Sequence, residues 1–462
     1  MHGLWNRTTW GELARISPSG HTSSTIDRQV LALAVPALGA LVAEPLFVLV
    51  DSAIVGRLGP APLAGLALAS TVLTTVVGLC VFLAYATTAA VARRLGADDE
   101  PGALRSGIDG LWLAVGLGIA LGAAVVLGAP WLAALLGAHD EVARQAVAYL
   151  RASAPGLPGM LAVLAATGVL RGLQDTRTPL LVAATGAAVN AGLNALLVLG
   201  ARIGIAGSGL GTAATQLAMA AWLGTLVVRG ARRRGVRVTP TAGGLRGSAR
   251  AGAPLLVRTA TLRAAIVLTT WVAAGLGTAV LAGHQVVNAV WGLTAFALDA
   301  LAIAAQALVG HALGAGDVVL ARALLRRTLT WGVALGAALA VVVGAAWPWL
   351  VRAFSADDEV RRAATAALLV AAACLPMAGW VFVLDGVLIG AGDGVFLARA
   401  GLVTLVVYLP AVLAVRAWAP GGPAGLAWLW AAFAGVFLAS RALTTGWRAR
   451  GSGWTVPGSD RR

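Results

Sequence analysis

The chain contains a series of apolar runs that are each long enough to cross a lipid bilayer. Twelve such runs, each of about 20 mostly apolar residues, follow one another along the sequence. Backbone polar groups in lipid must bond to one another, so a spanning run is a helix or part of a closed barrel. The length of the runs and the lack of strict polar alternation favour helices. The sequence therefore predicts an all-α integral membrane protein with twelve transmembrane helices.

The composition agrees with this prediction, because 59% of the residues are hydrophobic and only 11% are charged. A soluble fold could not cover that much apolar surface. The predicted helices fall into two sets of six. The expected regions are a cytoplasmic N-terminal segment 1–28, a first lobe 29–228, a cytoplasmic linker 229–250, a second lobe 251–445 and a cytoplasmic tail 446–462.

All 34 basic residues are Arg, and the formal net charge is +15. The Arg residues concentrate in loops on one side of the predicted helices, most densely from Arg229 to Arg250. Such an excess marks the cytoplasmic side of a membrane protein and does not require a nucleic-acid partner. We therefore expect a multi-pass protein of the inner (plasma) membrane with both termini in the cytoplasm. Only Arg258 and Arg263 are expected within a membrane span.

The two halves of the chain resemble each other at one constant offset. Pro36 matches Pro254 and Leu58-Gly59 matches Leu276-Gly277, a separation of 218 residues. An even number of helices per half makes both halves enter the membrane from the same side. This arrangement predicts two pseudo-symmetric six-helix bundles around a central cavity, which is typical of transport by alternating access. Further matches are Leu95-Gly96-Ala97 with Leu313-Gly314-Ala315, and Pro130-Trp131-Leu132 with Pro348-Trp349-Leu350.

Two carboxylates lie in the first predicted helix, where an ionisable group is costly and needs a reason. Glu44 and Asp51 are seven residues apart and so share one helix face. Pro36 lies on the same helix and allows it to bend. Asp51 is therefore a candidate proton switch. The alternative for both carboxylates is a structural role, bonded to polar partners or water.

Two more carboxylates, Asp299 and Asp385, lie in the eighth and tenth predicted helices. Arg258 in the seventh helix is their best candidate counter-ion, since a buried carboxylate without a partner is expensive. The prediction is one polar cluster of these three residues inside the second bundle. The cluster either stabilises that bundle or provides a second proton site.

Uncharged polar residues complete the set of candidates. Asn190 and Asn194 are four residues apart in the fifth helix, so both amides can face Asp51 or can clasp two helices together. Four residues of the eighth helix could line a cavity or clasp helices: His284, Gln285, Asn288 and Gln306. No HExxH, GxSxG or CxxC motif is present, and a chain without Lys has no Walker lysine. We therefore expect no enzyme activity, no cofactor and no metal site.

Several short stretches, in this order and spacing, resemble the multidrug and toxic compound extrusion (MATE) family, in particular its DNA-damage-inducible F (DinF) branch. They are Glu44-Pro45-Leu46, Val50-Asp51, Gly56-Arg57-Leu58-Gly59, the run from Gly207 to Ala213, Ala297-Leu298-Asp299, Leu384-Asp385-Gly386 and Ile389-Gly390-Ala391. The resemblance covers the chain from about Gln29 to Arg450. It implies the two-bundle fold that the repeat also predicts.

The resemblance further implies export of organic, often cationic or amphipathic compounds, driven by an inward gradient of protons or sodium ions. It places the coupling Asp of the family at Asp51, the bending proline at Pro36 and the fifth-helix Asn at Asn190. Many family members carry an Asp four residues further on, where this chain has Asn194. With Asn194 in place of that carboxylate, coupling by a proton on Asp51 is a simpler hypothesis than coupling by a sodium ion. We expect a monomer in the lipid bilayer with a small organic substrate.

Two alternatives remain open. One is a lipid-linked oligosaccharide flippase of the same superfamily, a class that tends to have cationic cavities. The other is a channel or a non-transporting membrane scaffold, which would not need a two-lobed repeat with buried carboxylates.

Overall fold

The computed structural model describes residues 23–459, so most of the predicted N-terminal segment lies outside the described residues. The described chain is almost entirely helical. It contains 11 helices that are long and apolar enough to cross a membrane, and one further pair, Asp358–Ala373 and Leu375–Gly390, that is bent by 54°. With this pair taken as one broken span, the all-α fold with twelve spans is confirmed.

The spans are labelled in chain order. They are α1 (Ser24–Leu58), α2 (Pro60–Gly96), α3 (Glu100–Leu135), α4 (Asp140–Gly172), α5 (Arg177–Gly200), α6 (Ile205–Arg233), α7 (Ala242–Gly275), α8 (Thr278–Gly314), α9 (Val318–Phe354), α10 (Asp358–Ala373 with Leu375–Gly390), α11 (Gly394–Trp418) and α12 (Gly422–Arg450).

Local signals that start these helices recur at the repeat offset. Gly59 precedes α2 with φ +119° and Gly277 precedes α8 with φ +124°, a backbone conformation that glycine adopts readily. Asp99 and Asp317 cap α3 and α9 by accepting hydrogen bonds from backbone N–H groups three residues on. The same residue types therefore set the same helix starts in both lobes.

The helices extend further into the loops than the apolar runs suggest. Because α6 ends at Arg233 and α7 begins at Ala242, only 234–241 connect the lobes as non-helical chain. This connection is fastened to α3. Arg105 Nη1 donates to the carbonyl of Arg237 at 2.7 Å, and Trp112 Nε1 donates to that of Val238 at 2.8 Å.

The two lobes pack closely where α2 and α8 end. A methyl group added at Gly96 would collide with the carbonyl of His311, and one added at Gly314 would collide with the carbonyl of Arg93. Gly96 and Gly314 are mates in the repeat, so the contact is pseudo-symmetric. The small residues let the two helices touch backbone to backbone.

The C-terminal tail covers this interlobe contact. Arg93 Nη2 of the first lobe donates to the carbonyls of Val456 at 2.8 Å and Gly458 at 2.7 Å. The N–H of Gly458 donates to the carbonyl of Leu313 in the second lobe at 2.9 Å. Trp454 is completely buried in the apolar core beneath the tail. The tail therefore joins both lobes at the end of the molecule where the chain leaves α12.

Candidate functional site

The side chain of Asp51 is buried in the first lobe and holds four helices together. It is 5% exposed and accepts hydrogen bonds from Tyr149 Oη at 3.0 Å and Asn194 Nδ2 at 3.0 Å. The Ser208 hydroxyl also donates to it. The three donors come from α4, α5 and α6, and all are uncharged. Asp51 thus has a full set of neutral donors and no cationic partner in contact.

The two asparagines play different parts around this carboxylate. Asn194 contacts Asp51 directly and also donates to Asn190 Oδ1 at 3.1 Å. Asn190 donates to Thr212 Oγ1 at 3.3 Å and reaches Asp51 only through Asn194. Asn194 Oδ1 is buried and has no hydrogen-bond partner among the described residues. An unused acceptor therefore lies next to the carboxylate.

A cavity of about 230 Å³ lies beside Asp51, inside the first lobe. Glu44 lines the same cavity, and its side chain is exposed. The α1 helix remains helical through Pro36 and Pro45, each of which removes one backbone hydrogen bond from it. Arg171, near the end of α4, also lines this cavity.

The second lobe has no equivalent of this polar site. At the repeat offset, Asp51, Tyr149 and Asn194 correspond to Thr269, Ala367 and Val412, all of them buried. Asn190 corresponds to Tyr408, whose hydroxyl lies 2.7 Å from Thr269 Oγ1. The ring of Tyr408 packs on Phe433 and Phe437, with centroid distances of 6.2 and 5.4 Å. Aromatic packing occupies the region where the first lobe has a carboxylate and a cavity.

A second cluster of charges lies at the junction of the two lobes. Asp385 forms ion pairs with both Arg258 and Arg441. Asp299 lines the same small pocket and accepts a 3.5 Å contact from the hydroxyl of Tyr85. The structure thus brings the three predicted residues together and adds two more. Because Tyr85 belongs to α2, the cluster is not confined to the second bundle.

The four candidates in α8 have different surroundings. His284 Nε2 lies 3.2 Å from Thr270 Oγ1, and the His284 ring packs near Trp430. Gln306 Nε2 donates to the backbone carbonyl of Tyr85 at 2.8 Å and so links the lobes. Gln285 is exposed and Asn288 is half-buried, and neither lines the cavity beside Asp51.

Sequence reasoning missed several members of both clusters. Tyr149 and Ser208 were missed because they are uncharged, and uncharged polar residues do not stand out in an apolar run. The expectation that only Arg258 and Arg263 lie within membrane spans was wrong, because Arg171 and Arg441 lie within the α4 and α12 spans and are largely buried. The sequence did offer one signal: Asp299 and Asp385 had only Arg258 as a predicted counter-ion, so a further buried cation was to be expected. No group of three or more His, Cys, Asp or Glu side chains among residues 23–459 could hold a metal ion.

Two homologous six-helix lobes, with a buried carboxylate beside a cavity in one of them, define a multi-pass membrane protein of the secondary-transporter type. The family model described as MatE matches residues 36–196 and again 254–413, and the two matches begin at the repeat mates Pro36 and Pro254. The chain belongs to this family, the MATE family of multidrug efflux transporters.

Relatives in plants and bacteria agree with this assignment. The chain is 32% identical over 437 residues to Protein DETOXIFICATION 44, chloroplastic, of Arabidopsis thaliana, covering 92% of this chain and 82% of the relative. It is 28% identical over 400 residues to DNA damage-inducible protein F of Escherichia coli strain K12, covering 83% and 86%. A solved structure of the Vibrio cholerae MATE transporter VcmN in the bent form shares the fold, with a TM-score of 0.83 and 20% identity over 93% of this chain and 98% of that one.

Proposed function

We propose that the protein exports small organic compounds in exchange for protons, by alternating access of its two lobes, with Asp51 as the coupling group. The observation that carries this proposal is the buried Asp51 carboxylate, which borders a cavity and is held by three neutral donors. A carboxylate in such a place changes its bonding when it gains or loses a proton, so it can report proton binding to the surrounding helices.

The geometry supports a specific consequence of protonation. The ionised carboxylate can accept all three hydrogen bonds, whereas a protonated Asp51 becomes a donor itself and needs an acceptor. Asn194 Oδ1 is a neighbouring buried acceptor without a partner among the described residues. Rotation of this amide would exchange a donor for an acceptor and change how α1 is bonded to α5. The two prolines in α1 make that helix the easier one to bend.

The donor set favours a proton over a sodium ion. Hard cations require several oxygen ligands that point at one place. Around Asp51, the Asn194 amide presents its nitrogen, and the Tyr149 and Ser208 hydroxyls direct their protons at the carboxylate. These groups complete the bonding of an anion. The absence of acidic and amide counterparts in the second lobe supports one coupling site per chain.

The proposed setting is the inner membrane, with the lobe contact at Gly96 and Gly314, the tail and both termini on the cytoplasmic side. The Arg-rich connection between α6 and α7 lies at the same end of the helices as this contact, which supports that orientation. A monomer is proposed, since each chain contains both lobes and the whole Asp51 network.

Transport into or out of proteoliposomes tests the proposal. Purified protein should move an organic substrate uphill when a pH gradient is imposed, and a proton ionophore should abolish that movement. A sodium gradient at constant pH should be ineffective. Uphill transport that requires sodium and ignores pH would contradict proton coupling, and downhill flux alone would indicate a channel.

A further inference from the structure

One charged side chain at the cavity beside Asp51 is unused by the proposed coupling mechanism. Arg171 lies in the last turn of the α4 helix and lines the cavity, and the residue is only 8% exposed. Among residues 23–459 it forms no hydrogen bond and no ion pair. A buried guanidinium without a partner is expensive. Asp51, by contrast, already accepts three hydrogen bonds. Arg171 is therefore a buried cation at this cavity whose hydrogen-bond donors have no protein acceptor among the described residues.

The charges near Arg171 leave it unbalanced. Asp299 is the nearest opposing carboxylate in the electrostatic surroundings of Arg171, but no hydrogen bond or ion pair joins the two. Asp385 is already shared by Arg258 and Arg441. Arg171, Arg258 and Arg441 thus lie within electrostatic range of two carboxylates, Asp299 and Asp385, an excess of one positive charge. Glu44 also lines the cavity at an exposed position, and the charge that acts on it is Arg263, not Arg171.

The rest of the cavity wall is mainly apolar. Its side chains include Leu41, Phe47, Val48, Met160, Leu164 and Met219. A volume of about 230 Å³ suits a small molecule with an apolar body. A planar guanidinium at one place in such a wall matches a carboxylate, with which it can form two parallel hydrogen bonds.

We infer that the cavity of the first lobe is a binding site for an amphipathic carboxylate, with Arg171 as the group that recognises its anionic end. This inference rests on the proposed export function and narrows its substrate class. The apolar body of the ligand fills the cavity and the carboxylate satisfies Arg171, so the excess positive charge at the lobe junction is neutralised when substrate is bound.

A purely structural role for Arg171 would have different consequences. The C-terminal end of a helix favours a cation, and the field of Asp299 does so too. Either effect would make Arg171 contribute to stability. Neither effect would make ligand affinity depend on the charge of the ligand, and this dependence is what the experiment measures.

The test uses the full-length protein in nanodiscs of uncharged lipid and three probes with the same ring system. These are 1-naphthoate, 1-naphthamide and 1-naphthylmethylamine, with affinity measured by calorimetric titration. Wild-type protein should bind naphthoate about tenfold or more tightly than naphthamide, the ratio expected for a hydrogen bond to a charged group. Arg171→Gln should lose that preference, and Arg171→Lys should keep part of it. Arg399→Gln is the matched control, because Arg399 is exposed and does not line the cavity, and its binding should equal wild type.

Equal binding of the three probes, no binding of naphthoate, or full naphthoate affinity in Arg171→Gln would overturn the inference. The comparison among probes in the wild-type protein remains decisive if Arg171→Gln does not fold. Proton-driven transport of the amine without carboxylate binding would remove the inferred site and leave the proposed function intact. Naphthoate binding that depends on Arg171, without any proton-driven transport, would support the inferred site and contradict the proposed export function.

Discussion

Asp385 allows a test of how buried charge is balanced at the lobe junction. The side chains of the three paired residues are nearly buried: Asp385 is 6% exposed, Arg258 12% and Arg441 11%. In Asp385→Asn, both guanidinium groups lose their anion. Removing one partner of a buried pair typically costs about 3–5 kcal/mol, because an uncompensated charge is left behind. Arg258→Gln, in contrast, leaves Asp385 paired with Arg441 one to one, so its cost should be nearer that of a charged hydrogen bond, about 1.5–3 kcal/mol.

Thermal unfolding of the purified protein in detergent, followed by tryptophan fluorescence, measures the difference. For a lobe of roughly 200 residues, about 2–4 °C of Tm corresponds to 1 kcal/mol, so Asp385→Asn should lower Tm by roughly 6–20 °C. Arg258→Gln should lower it by clearly less, and Arg399→Gln, at an exposed residue, should leave it unchanged. A Tm for Asp385→Asn equal to wild type, or a larger loss in Arg258→Gln, would refute the shared pairing.

Three further predictions concern the lobe contact, the tail and a helix start. Gly314→Leu should push α8 away from α2 at Arg93. Distances between spin labels on the two lobes, measured by double electron–electron resonance, should then increase, and unchanged distances would count against a backbone contact there. Trp454→Ala removes a fully buried indole and should cost about 3–5 kcal/mol, whereas Trp447→Ala, at a residue 72% exposed, should cost little; equal Tm losses would contradict the docked tail. Hydrogen bonds from the backbone N–H groups of Val360 and Glu359 hold the pKa of Asp357 below its usual range. The ionised carboxylate therefore stabilises the start of α10 above the pKa of Asp357 in the unfolded chain, and this stabilisation is lost as the pH falls through its lower pKa in the folded chain. Amide exchange at 358–361 should therefore lose protection in acid, and Asp357→Asn should remove that dependence, which a persisting acid effect would disprove.

The sequence predicted the parts of the fold that depend on local physical rules. Apolar runs of bilayer length specify spanning helices, and a repeat with matched Gly59 and Gly277 specifies that the two lobes start their helices alike. The bend of 54° within α10 was not predicted, although Pro376 directly after the break was a signal for it, because proline removes a backbone hydrogen bond from a helix.

The candidate site was predictable in outline only. Carboxylates in apolar runs are conspicuous, so Asp51 and Asp385 could be singled out. Their partners Tyr149 and Arg441 could not, because a contact across helices leaves no pattern in one chain. Arg171 was assigned to a loop because a charge near the end of an apolar run usually lies at the membrane surface, whereas in this fold it faces a cavity.

The most direct test of the account is the behaviour of Asp51→Asn in proteoliposomes, compared with wild type and with Asp51→Glu. The Asn variant should fold and insert, since Asn keeps the size and much of the hydrogen bonding of the buried side chain. It should fail to move substrate uphill under an imposed pH gradient, while Asp51→Glu, which keeps a titratable carboxylate, should retain part of the coupled transport. Uphill transport by Asp51→Asn at the wild-type rate would contradict the assignment of Asp51 as the group that couples protons to export.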